Sequence, residues 1–205
     1  AGKTSLFNCV TGYYRPTSGT VTLGADDITG RKPYQISRMG MRRTFQNIRL
    51  FANMTALENV MVGRHVRTAA GVFGAILRDR ATRTEEQATA RRAQELLDYV
   101  GIGRHAQQLA RNMAYGDQRR LEIARALATD PKVLLLDEIA GGLTEGECAA
   151  LVGTVRSIHA RGITIVWIEH VLHALNAVVG RLLVLNFGKV IGVGRPDDIM
   201  ASREV

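Results

Sequence analysis

Long hydrophobic runs are what this sequence most clearly lacks: no apolar stretch in its 205 residues approaches the ~18 that a membrane-spanning helix requires. The chain is therefore expected to be soluble, with any membrane association coming through a partner. Cysteine is nearly absent too. Cys9 and Cys148 fall on expected helices with no metal-ligand spacing, which suits a reducing compartment. Acidic residues are the minority charge, 19 Asp and Glu against 27 Lys and Arg, so the formal net charge is +8. A surplus of that sign fits nucleic acid, an anionic membrane surface, or a dispersed solvated surface around an anionic ligand, and the last reading is preferred. No sustained heptads occur, which argues against a long coiled-coil insertion. What remains is material for one domain with a sizeable core.

The most informative stretch covers residues 113–138, MAYGDQRRLEIARALATDPKVLLLDE. It reads as a tight glycine turn, then a helix burying Leu121, Ala124, Leu127 and Ala128 at three-and-four spacing. Asp130-Pro131 closes the helix, because proline lacks a donor and biases the residue before it away from helix. Residues 133–136 are apolar on both faces, as a strand covered by helices on both sides must be. The strand stops at Asp137 and Glu138. Open α/β sheets bind ligands beyond the carboxyl ends of their strands, so this acidic pair stands where chemistry would be done.

The first five residues, AGKTS, match the tail of the phosphate-binding loop G-x-x-x-x-G-K-[ST]. In such a loop, backbone N–H groups and a helix N-terminus wrap the phosphates, the lysine reaches the β and γ phosphates, and the hydroxyl holds magnesium. Gly2, Lys3 and Thr4 take those roles, with Ser5 beside them. An apolar face of Leu6, Phe7 and Val10 follows, and Gly12 ends the helix. With the first four positions of that loop absent, the chain is expected to be an internal fragment of a longer protein, binding a nucleoside triphosphate poorly by itself and exposing apolar surface.

Further along, a short strand is expected at residues 20–23, and another ends at Phe45 just before Gln46. Residues 53–112 look helical: Thr55 with Glu58 opens one helix and Thr84 with Gln87 another, each as a capping box. The second buries Ala93, Leu96, Leu97 and Val100 and stops at Gly101. The apolar, glycine-rich segment 69–80 is either a loop or a docking surface. Thr144 and Glu147 form a third capping box, for a helix burying Leu151, Val155 and Ile158. Residues 163–168 read as another buried strand carrying Trp167 in the core, with Glu169 and His170 at its end. Residues 182–193 read as a hairpin turning at Gly188.

These motifs, in this order, resemble the ABC-type ATPases. Met113 to Asp117 stand on the five positions of the signature usually written L-S-G-G-Q, residues 133–138 on the Walker B strand, Gln46 on the Q-loop, residues 141–144 on the D-loop and His170 on the H-loop. RTFQNIRLF and YGDQRRLEIARALA are similar to the ATP-binding subunits of branched-chain amino-acid importers. The resemblance implies an α/β P-loop NTPase fold with a mainly parallel sheet, an antiparallel edge and a helical subdomain at residues 47–128, all within one domain. It further implies ATP and Mg2+ as cofactors: Lys3 on phosphate, Thr4, Asp137 and Gln46 toward the metal, Glu138 polarising the attacking water, and His170 and Gln46 completing the γ-phosphate site. Tyr115 and Gly116 would face the ATP of a second ATP-binding subunit.

Two departures stand out: Ala114 where a serine hydroxyl commonly donates, and Thr144 where the D-loop often ends in Asp or Asn. Losing one charge-assisted hydrogen bond costs on the order of 1.5–3 kcal/mol, so a site built with this signature is expected to be the slower of an asymmetric pair. The expected function is an ATP-hydrolysing importer subunit on the cytoplasmic face of the membrane. Its partners would be a second ATP-binding subunit, membrane permease subunits and, indirectly, an extracytoplasmic solute-binding protein, with no nucleic acid. The alternatives are a soluble ATPase acting on nucleic acid or ribosomes, or a non-hydrolysing regulatory module. Glu138 and His170 disfavour the latter.

Overall fold

A computed structural model describes residues 2–64, 80–170, 175 and 178–202. Three parallel strands, β3 (Met41–Arg43), β4 (Val133–Asp137) and β5 (Thr164–Ile168), form the central sheet in that order. Met41 pairs with Val133 and Val133 with Thr164, so the carboxyl ends of all three lie side by side. The period-two alternation of β4 decides what covers each face. Leu134 and Leu136 enter a large cluster with Val60, Leu97, Ile123 and Ile158. Leu135 points the other way, into a smaller cluster with Phe7, Ile28, Ile36 and Met41.

The larger cluster is built by helices α3 (Ala56–Arg64), α4 (Arg80–Tyr99), α5 (Tyr115–Leu127) and α6 (Glu145–Ala160). The first of these packs closely on α5: a Cβ at Gly63 would stand 2.5 Å from the Arg125 carbonyl oxygen. The smaller cluster lies under α1 (Lys3–Val10), α2 (Pro33–Arg38) and the antiparallel pair β1 (Thr22–Leu23) and β2 (Asp26–Asp27). Gly12 follows α1 with φ +78°, and a Cβ there would collide with the Arg31 carbonyl oxygen, so this helix end requires glycine. Last come the hairpin β6 (Leu182–Asn186) and β7 (Lys189–Gly194), and α7 (Pro196–Met200). Phe187 and Gly188 make the turn, both at positive φ.

The capping boxes at Thr55 and Thr144 are both present: each threonine hydroxyl accepts from the backbone N–H three residues on, and the glutamate there accepts in return. Three expectations need correction. Thr84 does not open its helix, because α4 already runs from Arg80. No glycine turn precedes α5; Ala114 is its N-cap and Gly116 lies inside the first turn. Strand β5 is not buried throughout. It is an edge strand among the described residues, its positions alternate in exposure, and Val166 is 43% exposed. The segment expected as loop or docking surface falls, over residues 69–79, outside the described residues.

Candidate functional site

Four side chains from four separate parts of the chain meet above the carboxyl ends of the sheet. Lys3, in the first turn of α1, donates from Nζ to His170 Nδ1 at 3.3 Å. His170 Nε2 lies 2.7 Å from Glu138 Oε1, and Gln46 Nε2 donates to Glu138 Oε2 at 2.6 Å. The Nε2–H tautomer of His170 satisfies both of its contacts, accepting from the ammonium on one side and donating to the carboxylate on the other. Glu138 reaches this position because its backbone leaves β4 in the left-handed region, φ +48°, pinned by its N–H donating to the Ile168 carbonyl at 2.9 Å. Such a conformation is costly for a non-glycine residue and persists where the surroundings over-determine it.

One residue earlier, Asp137 is buried. Its Oδ2 receives Arg43 Nη2 at 2.6 Å. Thr4, Arg43, Gln46 and Asp137 line one open cleft of about 260 Å3. Gly2 caps α1 at φ +94° with Thr4 and Ser5 exposed in the first turn, so the N–H groups that have no helical partner point toward this end of the sheet. Lys3, Gln46, Glu138 and His170 are thus joined directly, while Thr4 and Asp137 share the adjoining cleft.

Tyr115 and Gly116 do not join that cluster. They lie on α5, where a Cβ on Gly142 would touch the Tyr115 ring at 3.4 Å and one on Gly116 would press on the Glu147 carboxylate. Segments 113–117 and 141–144 therefore share one surface, of which Tyr115 is 44% exposed. Arg119, one turn further along α5, links this surface to the segment that carries Gln46. It donates to the carbonyls of Phe45 at 3.1 Å and Gln46 at 2.7 Å and to the Tyr115 hydroxyl at 2.7 Å, and it pairs with Glu122 at 3.3 Å. The Arg49 N–H donates to the other Glu122 oxygen. Burial pushes the Glu122 carboxyl above its ordinary value, against the pull of that N–H and of Arg119 and Arg125.

Sequence reasoning missed these supporting groups. Arg119 and Glu122 stand three apart on a helix, with Leu121, Ile123 and Ala124 among them; charges interleaved with a buried apolar face were the available signal. Glu169 was placed at the strand end beside His170 but given no role, and it is buried. It accepts from the Ala140 N–H at 2.6 Å and the His170 N–H at 3.1 Å, tying the turn after Glu138 to the backbone of His170.

Residues 1–141 match the ABC transporter family, and the chain belongs to it. Among individual relatives it is 41% identical, over its whole length and 81% of the relative's, to the high-affinity branched-chain amino acid transport ATP-binding protein LivG of Salmonella typhimurium. It is 38% identical to BraF of Pseudomonas aeruginosa, a protein of the same description. In three dimensions it resembles a nucleotide-free ATP-binding cassette from an ABC transporter, with TM-score 0.84 and 27% identity over all of this chain and 81% of that one. An ADP-bound cassette matches with TM-score 0.81 and 28% identity, over 96% of this chain and 77% of that one.

Proposed function

We propose that this chain is the ATP-binding and hydrolysing subunit of an ABC importer for branched-chain amino acids. One observation carries the reading of the site: the hydrogen-bonded row Lys3–His170–Glu138–Gln46, assembled from four segments at the mouth of one sheet. Phosphoryl transfer asks a protein mainly for positioning and electrostatics. Lys3 and the N–H groups opening α1 supply positive potential for phosphate oxygens. Glu138, turned off the strand end, receives the proton of the attacking water, and its carboxylate is aimed by Gln46 and His170. Tyr115 and Gly116 stand apart because they serve the nucleotide of a second ATP-binding subunit.

The residues present fit Mg2+. Thr4 and Asp137 offer hard oxygen donors to one cleft, and Asp137 Oδ1 has no hydrogen-bond partner among the described residues. Gln46, whose amide N–H is spent on Glu138, keeps its carbonyl for the metal side. One carboxylate plus nucleotide phosphates is a usual magnesium environment. Bound there, the ion would neutralise charge developing on the phosphates.

Residues 47–128 form the helical subdomain in this reading and carry the contact to the permease subunits. That arrangement keeps the chain peripheral, on the cytoplasmic side of the membrane, with an extracytoplasmic binding protein delivering the solute. No helix among the described residues is long and apolar enough to cross a membrane. The test is reconstitution with the permease subunits and binding protein in vesicles. Leucine uptake that needs ATP, and is lost with Glu138→Gln, is the expected result. Recovery of ribosomes or DNA in place of permeases from a pull-down would overturn it.

A further inference from the structure

Arg43 closes β3 and is almost wholly buried, its side chain 6% exposed beside an Asp137 side chain that is 3% exposed. Its fork makes two bonds to two different elements: Nη2 to Asp137 Oδ2 at 2.6 Å on β4, and Nη1 to Asn8 Oδ1 at 2.7 Å on α1. Its guanidinium carbon sits 5.4 Å from the Phe7 ring centroid and 5.2 Å from that of Phe45, and Nε is buried with no partner. Leaving a donor unsatisfied is costly, so the geometry favours the other two bonds over full satisfaction.

Burying a carboxylate without a counter-charge is far more costly than burying it paired. Arg43 supplies that counter-charge and touches only Oδ2, so that Oδ1 stays available on the cleft that Thr4 also lines.

We propose that Arg43 is the resident counter-ion and positioning residue of Asp137: it pairs with the buried carboxylate and aims it while the site is empty, and shares it with the divalent cation when nucleotide is bound. Through Asn8 it also fixes the phosphate-binding helix to the strand that bears Asp137. The inference rests on the nucleotide reading of this site. It goes further by making Arg43 and the cation two simultaneous partners of one buried carboxylate, so that loss of the first makes the fold lean on the second.

Thermal melts of the chain test it with Arg43→Met, which keeps the apolar stem and removes the fork. Without ligand, this variant melts lower by roughly 6–20 °C, the cost of stranding a buried charge in a protein of this size. Adding Asp137→Asn to Arg43→Met recovers most of that loss, although the same change alone destabilises. With ADP present, Mg2+ raises the melting temperature of Arg43→Met by more than it raises that of the wild type. Equal Mg2+ increments, or no recovery with Asp137→Asn, overturn the proposal, since a purely structural arginine would give that result. Should Arg43→Met fail to fold, Arg43→Lys, which keeps one charge but cannot reach Asn8 and Asp137 together, is compared by the same Mg2+ increments and read by the same criterion. A wild type that Mg2+ and ADP leave unmoved even at millimolar nucleotide, where weak binding still shifts a melt, would instead sink the nucleotide reading itself.

Discussion

Two layers of polar side chains meet at the carboxyl ends of β3, β4 and β5, and they are held in opposite ways. The outer layer is Lys3, Gln46, Glu138 and His170. Its bonds run from side chain to side chain between exposed or half-exposed groups far apart in sequence, and the His170 side chain is 66% exposed. The inner layer is Arg43 with Asp137, Arg119 with Glu122, and Glu169. These groups are buried, and many of their bonds end on backbone, at Phe45, Gln46, Arg49, Ala140 and His170. Side-chain bonds in water hold little, whereas a buried charge with directed partners is expensive to disturb. The outer layer can therefore rearrange around a ligand while the inner layer fixes where its backbone stands.

The largest expected effect separates the layers by chemistry. Glu138→Gln removes the base but keeps a similar shape, so ATP turnover should fall about 100- to 10,000-fold. The melting temperature should stay within a few degrees, since the group is at the surface of the cluster. Steady-state ATPase assays alongside calorimetry would check this, and a comparable loss of stability would show that the two layers are not distinct. Next comes the inner layer: Arg119→Met strands Glu122 in the core and should lower the melting temperature by roughly 6–20 °C. A shift below about 2 °C would place Arg119 with the surface pairs.

The pH dependence of Glu122 sharpens the same contrast. Its carboxyl is raised above the ordinary 4.5, first by burial. A raised carboxyl contributes its full stability below the unfolded value, where both states are protonated, and loses it as pH climbs through the folded value. Glu122→Gln has no such loss. The melting temperature of this variant relative to wild type should therefore rise steadily as pH goes from about 4 toward 7; a flat difference would mean that Glu122 is ionised at little cost.

Much of this was legible in sequence, and the reasons differ by residue. The apolar run before Asp137 and Glu138, the Gly-Lys-Thr before a helix, and Gln46 and His170 at strand ends are local signals, and the parallel register brings local strand ends together without further information. The inner layer was not legible. Arg43 and Arg119 look like any other arginine in a chain with 23 of them, and only folding shows which are buried. Thr84 misled because a capping box marks a helix start only where the preceding residues cannot continue the helix; those before it include alanine and arginine, both strong helix formers. Strand β5 misled because its hydrophobic composition says nothing about which strand stands at the edge.

The smallest effect asks whether a carboxylate outside both layers behaves with the opposite sign. Glu147, at the start of α6, is half-buried beside Gly116, and its carboxyl is lowered, first by the Thr144 backbone N–H and then by the Thr144 hydroxyl. A lowered carboxyl stabilises above the unfolded value of 4.5 and loses that contribution as pH falls through the folded value. Glu147→Ala should thus melt lower than wild type at neutral pH, within the roughly 2–4 °C that one helix cap is worth in a chain of this length. The deficit should shrink on acidification, where that of Glu122 moves the other way. Calorimetric melts of both variants over one pH series would decide it: if the two differences run parallel, local hydrogen bonding does not govern Glu147, and its place at the cap, next to Gly116 of the signature segment, matters for packing rather than for charge.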